Sequence, residues 1–196
     1  MIRKYLLALC LIALPLGTVV ATGTAANASV RPHSSVTFTG SISCALSGSI
    51  KAKPPLTNTA STSTIAISLN GKLSKCTGNT TQGGLTIASG AVKSTATLPK
   101  GTTCTGLLTD TPNPAGTIKW KATTKGSITA TAFSLSDGSV TSTSPITLTY
   151  TSTQTGSFAG TGGTTAVIKQ SIGTLLTECG GKGVSSLTLT TGSKVS

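Results

Sequence analysis

Apolar residues alternate with polar ones along most of the chain, and this period of two constrains the fold more than any other feature. From Val36 to Ala52 every second residue is apolar or glycine, and mostly Ser, Thr or Lys lie between. Shorter stripes of the same kind run over 65–73, 118–122 and 146–150. Strict alternation is typical of antiparallel strands with one buried face. The pattern predicts an all-β fold, an antiparallel β-sandwich or barrel of about nine or ten strands.

Prolines, glycines and one helical stripe divide this pattern into segments. Pro54-Pro55 is expected to end the first strand, because proline cannot donate to a strand ladder. A change of parity around Gly90 predicts a β-bulge, and Asp137-Gly138 predicts a turn. Apolar residues then follow helical spacing and predict one short helix at 171–179, with Ser171 as its cap.

The N-terminal residues are typical of a secretory signal peptide. A basic start with Arg3 and Lys4 precedes an apolar run, and small residues at Ala26 and Ala28 supply a cleavage site. We therefore expect residues 1–28 to be a signal peptide and 29–196 to form a single secreted β domain. No later segment is long and apolar enough to predict a transmembrane span. The expected location is extracellular, either free or associated with the cell envelope.

Four cysteines follow the predicted signal peptide, at positions 44, 76, 104 and 179. An even number in an exported chain favours disulfides, and none of the close pairs typical of a zinc site is present. We favour Cys44–Cys76 with Cys104–Cys179, because the first two lie beside strand-like runs in the same half of the chain. The sequence alone leaves the other pairings open.

Groups able to perform acid–base chemistry are scarce. The chain has three carboxylates, Asp110, Asp137 and Glu178, and one histidine, His33. Each lies next to a loop, turn, helix end or tail, so a catalytic triad or a pair of facing carboxylates is not expected. Calcium-loop and phosphate-loop patterns are also missing. The sequence therefore predicts a non-enzymatic protein with no catalytic residue, no metal site and no cofactor.

Positive charge is the remaining sequence feature that suggests a function. The formal net charge is +12, and Lys51, Lys53, Lys119 and Lys121 occupy outward positions of predicted strands. If those strands are neighbours, the four lysines form a basic patch that suits an anionic cell-wall polymer or membrane surface. The alternative is that they provide solubility and deter edge-to-edge aggregation. Nucleic acid is not an expected partner, because aromatic residues for base stacking are few and Trp120 has core parity.

The order of cysteines and turn residues resembles a group of small secreted, disulfide-containing all-β proteins of actinobacteria to which no function is assigned. The similarity covers nearly the whole chain after the signal peptide. It implies a cross-linked β fold and brings no catalytic residues. The motifs that carry it are Cys44, Gly48-Ser-Ile-Lys51, Pro54-Pro55-Leu56, Gly71-Lys-Leu-Ser-Lys-Cys76, Cys104, Ile118-Lys-Trp120, Gly156-Ser-Phe158 and Cys179.

These features lead to three hypotheses about function. The first is a secreted envelope or extracellular protein that is structural or binds weakly. The second is a binding module for an anionic polymer, a membrane surface or an apolar ligand held in a barrel cavity. The third is a secreted inhibitor or toxin that contacts a protein partner through loops such as 105–116. The oligomeric state stays open.

Overall fold

The computed structural model describes residues 34–106, 112–190 and 192–196, all of which belong to one compact unit. The predicted signal peptide, His33 and Asp110 lie outside the described residues. Ten strands and one helix occur within the described part, in agreement with the predicted number. Their bounds are β1 Ile42–Leu56, β2 Ile65–Gly78, β3 Thr81–Gln82, β4 Leu85–Leu98, β5 Ala115–Ala122, β6 Thr131–Thr143, β7 Ile146–Gly156, β8 Gly160–Val167, α1 Ile172–Gly180, β9 Val184–Leu189 and β10 Lys194–Val195.

The strands form one antiparallel sheet that closes into a barrel rather than splitting into a sandwich. The hydrogen-bonded order is β10-β8-β7-β6-β5-β4-β2-β1-β9, and a further pairing of β10 with β1 closes it. The short strand β3 pairs only with β4, while β9 and β10 pair with successive parts of β1 and so share one position. The circumference therefore holds about eight strand positions, at which size the interior is filled by side chains or holds one small ligand.

Two predicted boundaries are wrong, for reasons that depend on neighbouring strands. Strand β1 continues through Pro54-Pro55, because its pairing with β2 ends at Lys53 and its pairing with β9 resumes at Leu56. Neither neighbour requires the missing proline N–H groups. Asp137-Gly138 forms a bulge inside β6, with a register shift between the residues on either side and a left-handed φ of 53° at Asp137. The predicted irregularity near Gly90 is confirmed as a register shift just before it.

Aromatic side chains close one end of the barrel, here called the lower end, which contains the start of β1. The Phe158 ring lies 5.7 Å from the Phe38 ring and 5.4 Å from that of Trp120, centroid to centroid. The Trp120 indole N–H donates to the Thr131 hydroxyl at 2.9 Å, which in turn donates to the carbonyl of Ser157 at 2.6 Å. Trp120 is partly buried and packs against the core, in agreement with its inward parity, and these contacts lie at the lower end.

The opposite, upper end carries the helix and one disulfide. The helix begins after Ser171, whose hydroxyl accepts from the Thr174 N–H at 3.2 Å, and its predicted position is confirmed. The structure forms the favoured disulfide pairing. Cys44–Cys76 joins β1 to β2, and Cys104–Cys179 joins the loop after β4 to α1.

Candidate functional site

An apolar cavity of about 160 Å³ lies inside the upper half of the barrel. Alternate residues of nearly every strand reach it, because in a closed sheet one parity of each strand points inward. The helix and the residues next to the Cys104–Cys179 disulfide complete the wall. Six of the aliphatic lining residues are Ile50, Ile67, Leu69, Ala96, Leu148 and Leu187.

Inward residues of this upper half are incompletely covered by protein. Ile50, Ile67 and Leu148 are only half-buried although they face the interior. In the lower half, inward Leu73 and Ile118 are buried to 0% and 2% exposure. Side chains therefore fill the lower half of the barrel more completely than the upper half. The exposed surface of the inward side chains in the upper half forms the wall of the cavity.

Small inward side chains explain the hollow. Ala52, Ala96 and Ala166 all line the cavity, at positions where Leu or Ile would reach the centre of the barrel. Ser94 and Thr164 add two further short side chains to the wall. Cores of natural proteins are normally packed without voids of this size. Small side chains at so many inward positions are therefore unusual for a core.

The helix α1 forms the upper wall. Ile172, Leu175 and Leu176 lie on its cavity side, as the helical stripe in the sequence predicts. Leu176 also exposes 44% of its surface, the one large aliphatic side chain so exposed among the described residues. The disulfide Cys104–Cys179 ties the end of the helix to the loop after β4. This arrangement places an anchored apolar cover over the cavity.

Five residues with hydroxyl groups line the cavity; Thr95 and Ser186 are exposed, and the other three are Ser94, Tyr150 and Thr164. The Ser94 hydroxyl donates to the Ala115 carbonyl at 3.0 Å. Tyr150 and Thr164 are directly opposite each other on β7 and β8, and neither hydroxyl is hydrogen-bonded within the described residues. Burial raises the pKa of the Tyr150 phenol above its ordinary value of 10.0, so the group is neutral at physiological pH. The wall can thus offer hydrogen bonds but no fixed charge.

The predicted four-lysine patch requires the two lysine-bearing strands to be neighbours in the sheet, and they are not. Lys51, Lys53, Lys119 and Lys121 are all exposed, but β1 and β5 are separated by β2 and β4. Three strand spacings of about 4.8 Å place the two lysine pairs about 14 Å apart across the sheet. The two pairs therefore do not form one four-lysine patch.

The intervening strands carry lysines that the sequence pattern did not single out. Lys72 and Lys119 both align with Ala91, one on each side of it, and Lys93 lies two residues further along the same strand. All three side chains are exposed. The basic surface is therefore broader than expected and is centred on β2, β4 and β5.

The residues considered for catalysis are not brought together. Asp137 and Glu178 are exposed, in the β6 bulge and in α1 respectively. Within the described residues, no three His, Cys, Asp or Glu side chains lie close enough to hold a metal ion. No helix in the described part of the chain is long and apolar enough to cross a membrane.

Sequence reasoning named a barrel cavity as one alternative but identified none of its residues. The usable signal was the occurrence of Ala, Ser and Thr at inward positions of several strands, at 52, 94, 96, 164 and 166. These small residues predict a cavity only when it is known that their strands bring them to the same height in one barrel.

Comparison with known proteins gives no relative for this site. The chain matches no protein-family model, no curated protein and no solved structure. The similarity to secreted actinobacterial proteins stays a prediction, and the site is interpreted from its own geometry.

Proposed function

We propose that the protein is a secreted, non-enzymatic binding module that holds one small apolar ligand in the upper half of the barrel. The observation that carries this proposal is the hollow itself, where inward aliphatic side chains such as Ile50 and Ile67 are left half-buried. The two disulfides support an extracellular setting, because such bonds persist in oxidising compartments.

The free energy of binding would come from covering the bare apolar surface. Removal of apolar surface from water contributes about 25 cal/mol per Å². A ligand in this cavity contacts a mostly apolar wall and gains dispersion contacts with side chains that otherwise have none on that side. The energetic gain therefore comes from burial, with no need for charged groups in the wall.

The volume of the cavity limits the ligand to about one six-membered ring or an equally short aliphatic group. A dry apolar cavity of about 150 Å³, engineered in another protein, binds benzene. The cavity here has about 160 Å³. Benzene is therefore a suitable first probe, since its volume matches and it makes no polar contacts.

Titration calorimetry with benzene tests the proposal. We expect saturable binding to the wild-type protein, and at least tenfold weaker binding to Ala96→Leu, because the larger side chain occupies the hollow. Ala91→Leu is the matched control, since Ala91 lies on the same strand but faces outward and is exposed. Absence of binding to the wild type, or equal weakening in both variants, would contradict the proposal.

A second candidate function is electrostatic attachment of the outer face to an anionic cell-wall polymer or membrane surface. It is favoured by the exposed lysines of β2, β4 and β5. None of these three strands contains an acidic residue. A face of one sign attracts polyanions, and the attraction falls as salt rises.

Retention on isolated cell wall across a salt series tests this second candidate, with anionic vesicles as a parallel surface. The double variant Lys93→Gln/Lys119→Gln should lose retention at low salt. The control Lys169→Gln/Lys194→Gln removes the same charge from two exposed sites, one beside β9 and one in β10, and should keep the retention. Equal loss of retention in both variants would contradict a specific binding face, because it would mean that only the net charge of the protein matters.

The inhibitor or toxin hypothesis depends on loop 105–116, part of which lies outside the described residues.

A further inference from the structure

The cavity wall contains two hydroxyl groups that form no hydrogen bond with any residue described by the structure, at facing positions of two neighbouring strands. Tyr150 of β7 and Thr164 of β8 are direct cross-strand partners. Side chains at such positions start about 4.5–5.5 Å apart and lie on the same face of the sheet. Both residues line the cavity, so this face is the interior of the barrel.

Thr164 is mostly buried, but its hydroxyl keeps some accessible surface where the residue lines the cavity. Its residue is 9% exposed, and no described residue forms a hydrogen bond with its hydroxyl. A hydroxyl in this position can bond to a water molecule or to the polar group of a ligand. Other buried polar side chains of the barrel have partners, as Ser94 does with the Ala115 carbonyl and Gln154 does with the Ser152 hydroxyl. Ser94 also lines the cavity, but its hydroxyl already donates to a carbonyl, whereas Thr164 has no described protein partner and a ligand can supply one.

We infer that Tyr150 and Thr164 form a hydrogen-bonding site for the polar group of the ligand, and that this ligand is a small neutral amphiphile with a hydroxyl or carbonyl group. The inference rests on the proposed function. Each of the two hydroxyls can donate and accept one or more hydrogen bonds, so both kinds of polar group fit.

The same wall argues against a charged ligand. No Lys, Arg, His, Asp or Glu side chain is among the described residues that line the cavity. A carboxylate placed there would lose its hydration without an opposite charge, which costs far more than two neutral hydrogen bonds return. A neutral alcohol, phenol or ketone has no such penalty.

Three probes of similar size separate these ideas, namely benzene, phenol and benzoate, each titrated by calorimetry. In the wild type we expect phenol and benzene to bind and benzoate to fail. Thr164→Val keeps the shape of the side chain and removes the hydroxyl. It should weaken phenol binding about three- to tenfold relative to benzene, which corresponds to the loss of one hydrogen bond. Tyr150→Phe should have an effect of the same direction.

The matched control is Thr161→Val, which removes an exposed hydroxyl from the outer face of the same strand. It should leave the phenol-to-benzene ratio unchanged. If the ratio is also unchanged in Thr164→Val and Tyr150→Phe, or if benzoate binds as tightly as phenol, the hydrogen-bonding site is wrong while the apolar cavity stands. If neither benzene nor phenol binds the wild type, the proposed function itself is wrong.

Discussion

Enlarging a side chain on the inner face of β4 is expected to have opposite effects on stability in the two halves of the barrel. Gly90 and Ala96 both point inward on this strand, Gly90 in the filled lower half and Ala96 at the cavity. A Cβ atom built on Gly90 would lie 3.0 Å from Ile118 Cγ2 and 3.0 Å from Trp120 Cε3. Overpacking of this kind costs about 1–3 kcal/mol, so Gly90→Ala should destabilise the fold.

The larger change at Ala96 should stabilise it. Ala96→Leu adds three carbon atoms, and each buried methylene contributes about 0.8 kcal/mol, which gives at most about 2.4 kcal/mol. Ordering the leucine side chain costs about 0.5–1 kcal/mol. The net expectation is a gain of about 1–2 kcal/mol in the free energy of unfolding, because the added atoms enter space that is already empty.

Equilibrium urea unfolding of both variants, with the disulfides intact, measures these differences. The slope of unfolding free energy against urea should not change, so that a shifted midpoint reports stability alone. The exposed position Ala91 supplies the control, and Ala91→Leu should change the stability by less than about 0.5 kcal/mol. The reasoning would be refuted if Ala96→Leu destabilised the protein by more than about 1 kcal/mol while Gly90→Ala had no effect.

Two further predictions concern the disulfides and Tyr150. Replacing Cys104 and Cys179 by serine should cost more stability than replacing Cys44 and Cys76, because the closed loops span 75 and 32 residues. The chain-entropy relation gives about 4 kcal/mol for each and a difference of about 0.8 kcal/mol, measurable by urea unfolding; equal losses would contradict it. The raised pKa of Tyr150 means that the unfolded chain loses the phenol proton first. The contribution of Tyr150 to stability should therefore be fully present below the ordinary value of 10.0 and be lost as the pH rises through the folded-state pKa, and Tyr150→Phe should remove this contribution. Absorbance titration of the phenol checks the shift, and an unshifted midpoint would contradict it.

The sequence was sufficient for local features because these depend on nearby residues. Alternation over 36–52 predicted an inward face, and the spacing of Ile172, Leu175 and Cys179 predicted the helix. Both patterns follow directly from the geometry of strands and helices.

Features that depend on distant residues could not be predicted in the same way. Whether Pro54 interrupts a strand depends on where β2 and β9 stop pairing with it, and whether Lys51 meets Lys119 depends on the order of strands in the sheet. The cavity also depends on residues that are distant in sequence. Ala96 and Ala166 are far apart in sequence and reveal a hollow only after closure of the barrel brings β4 and β8 around one cavity.

The central claim is that the upper half of the barrel is hollow and open to a small apolar ligand, while the lower half is filled. Methyl-resolved NMR of the protein during a benzene titration tests it most directly. The account predicts saturable shifts of the methyl signals of Ile50, Ile67 and Leu148, which line the cavity, and unchanged signals for Leu73, which is fully buried in the lower half. Unchanged spectra at saturating benzene, or equal shifts in both halves, would contradict it.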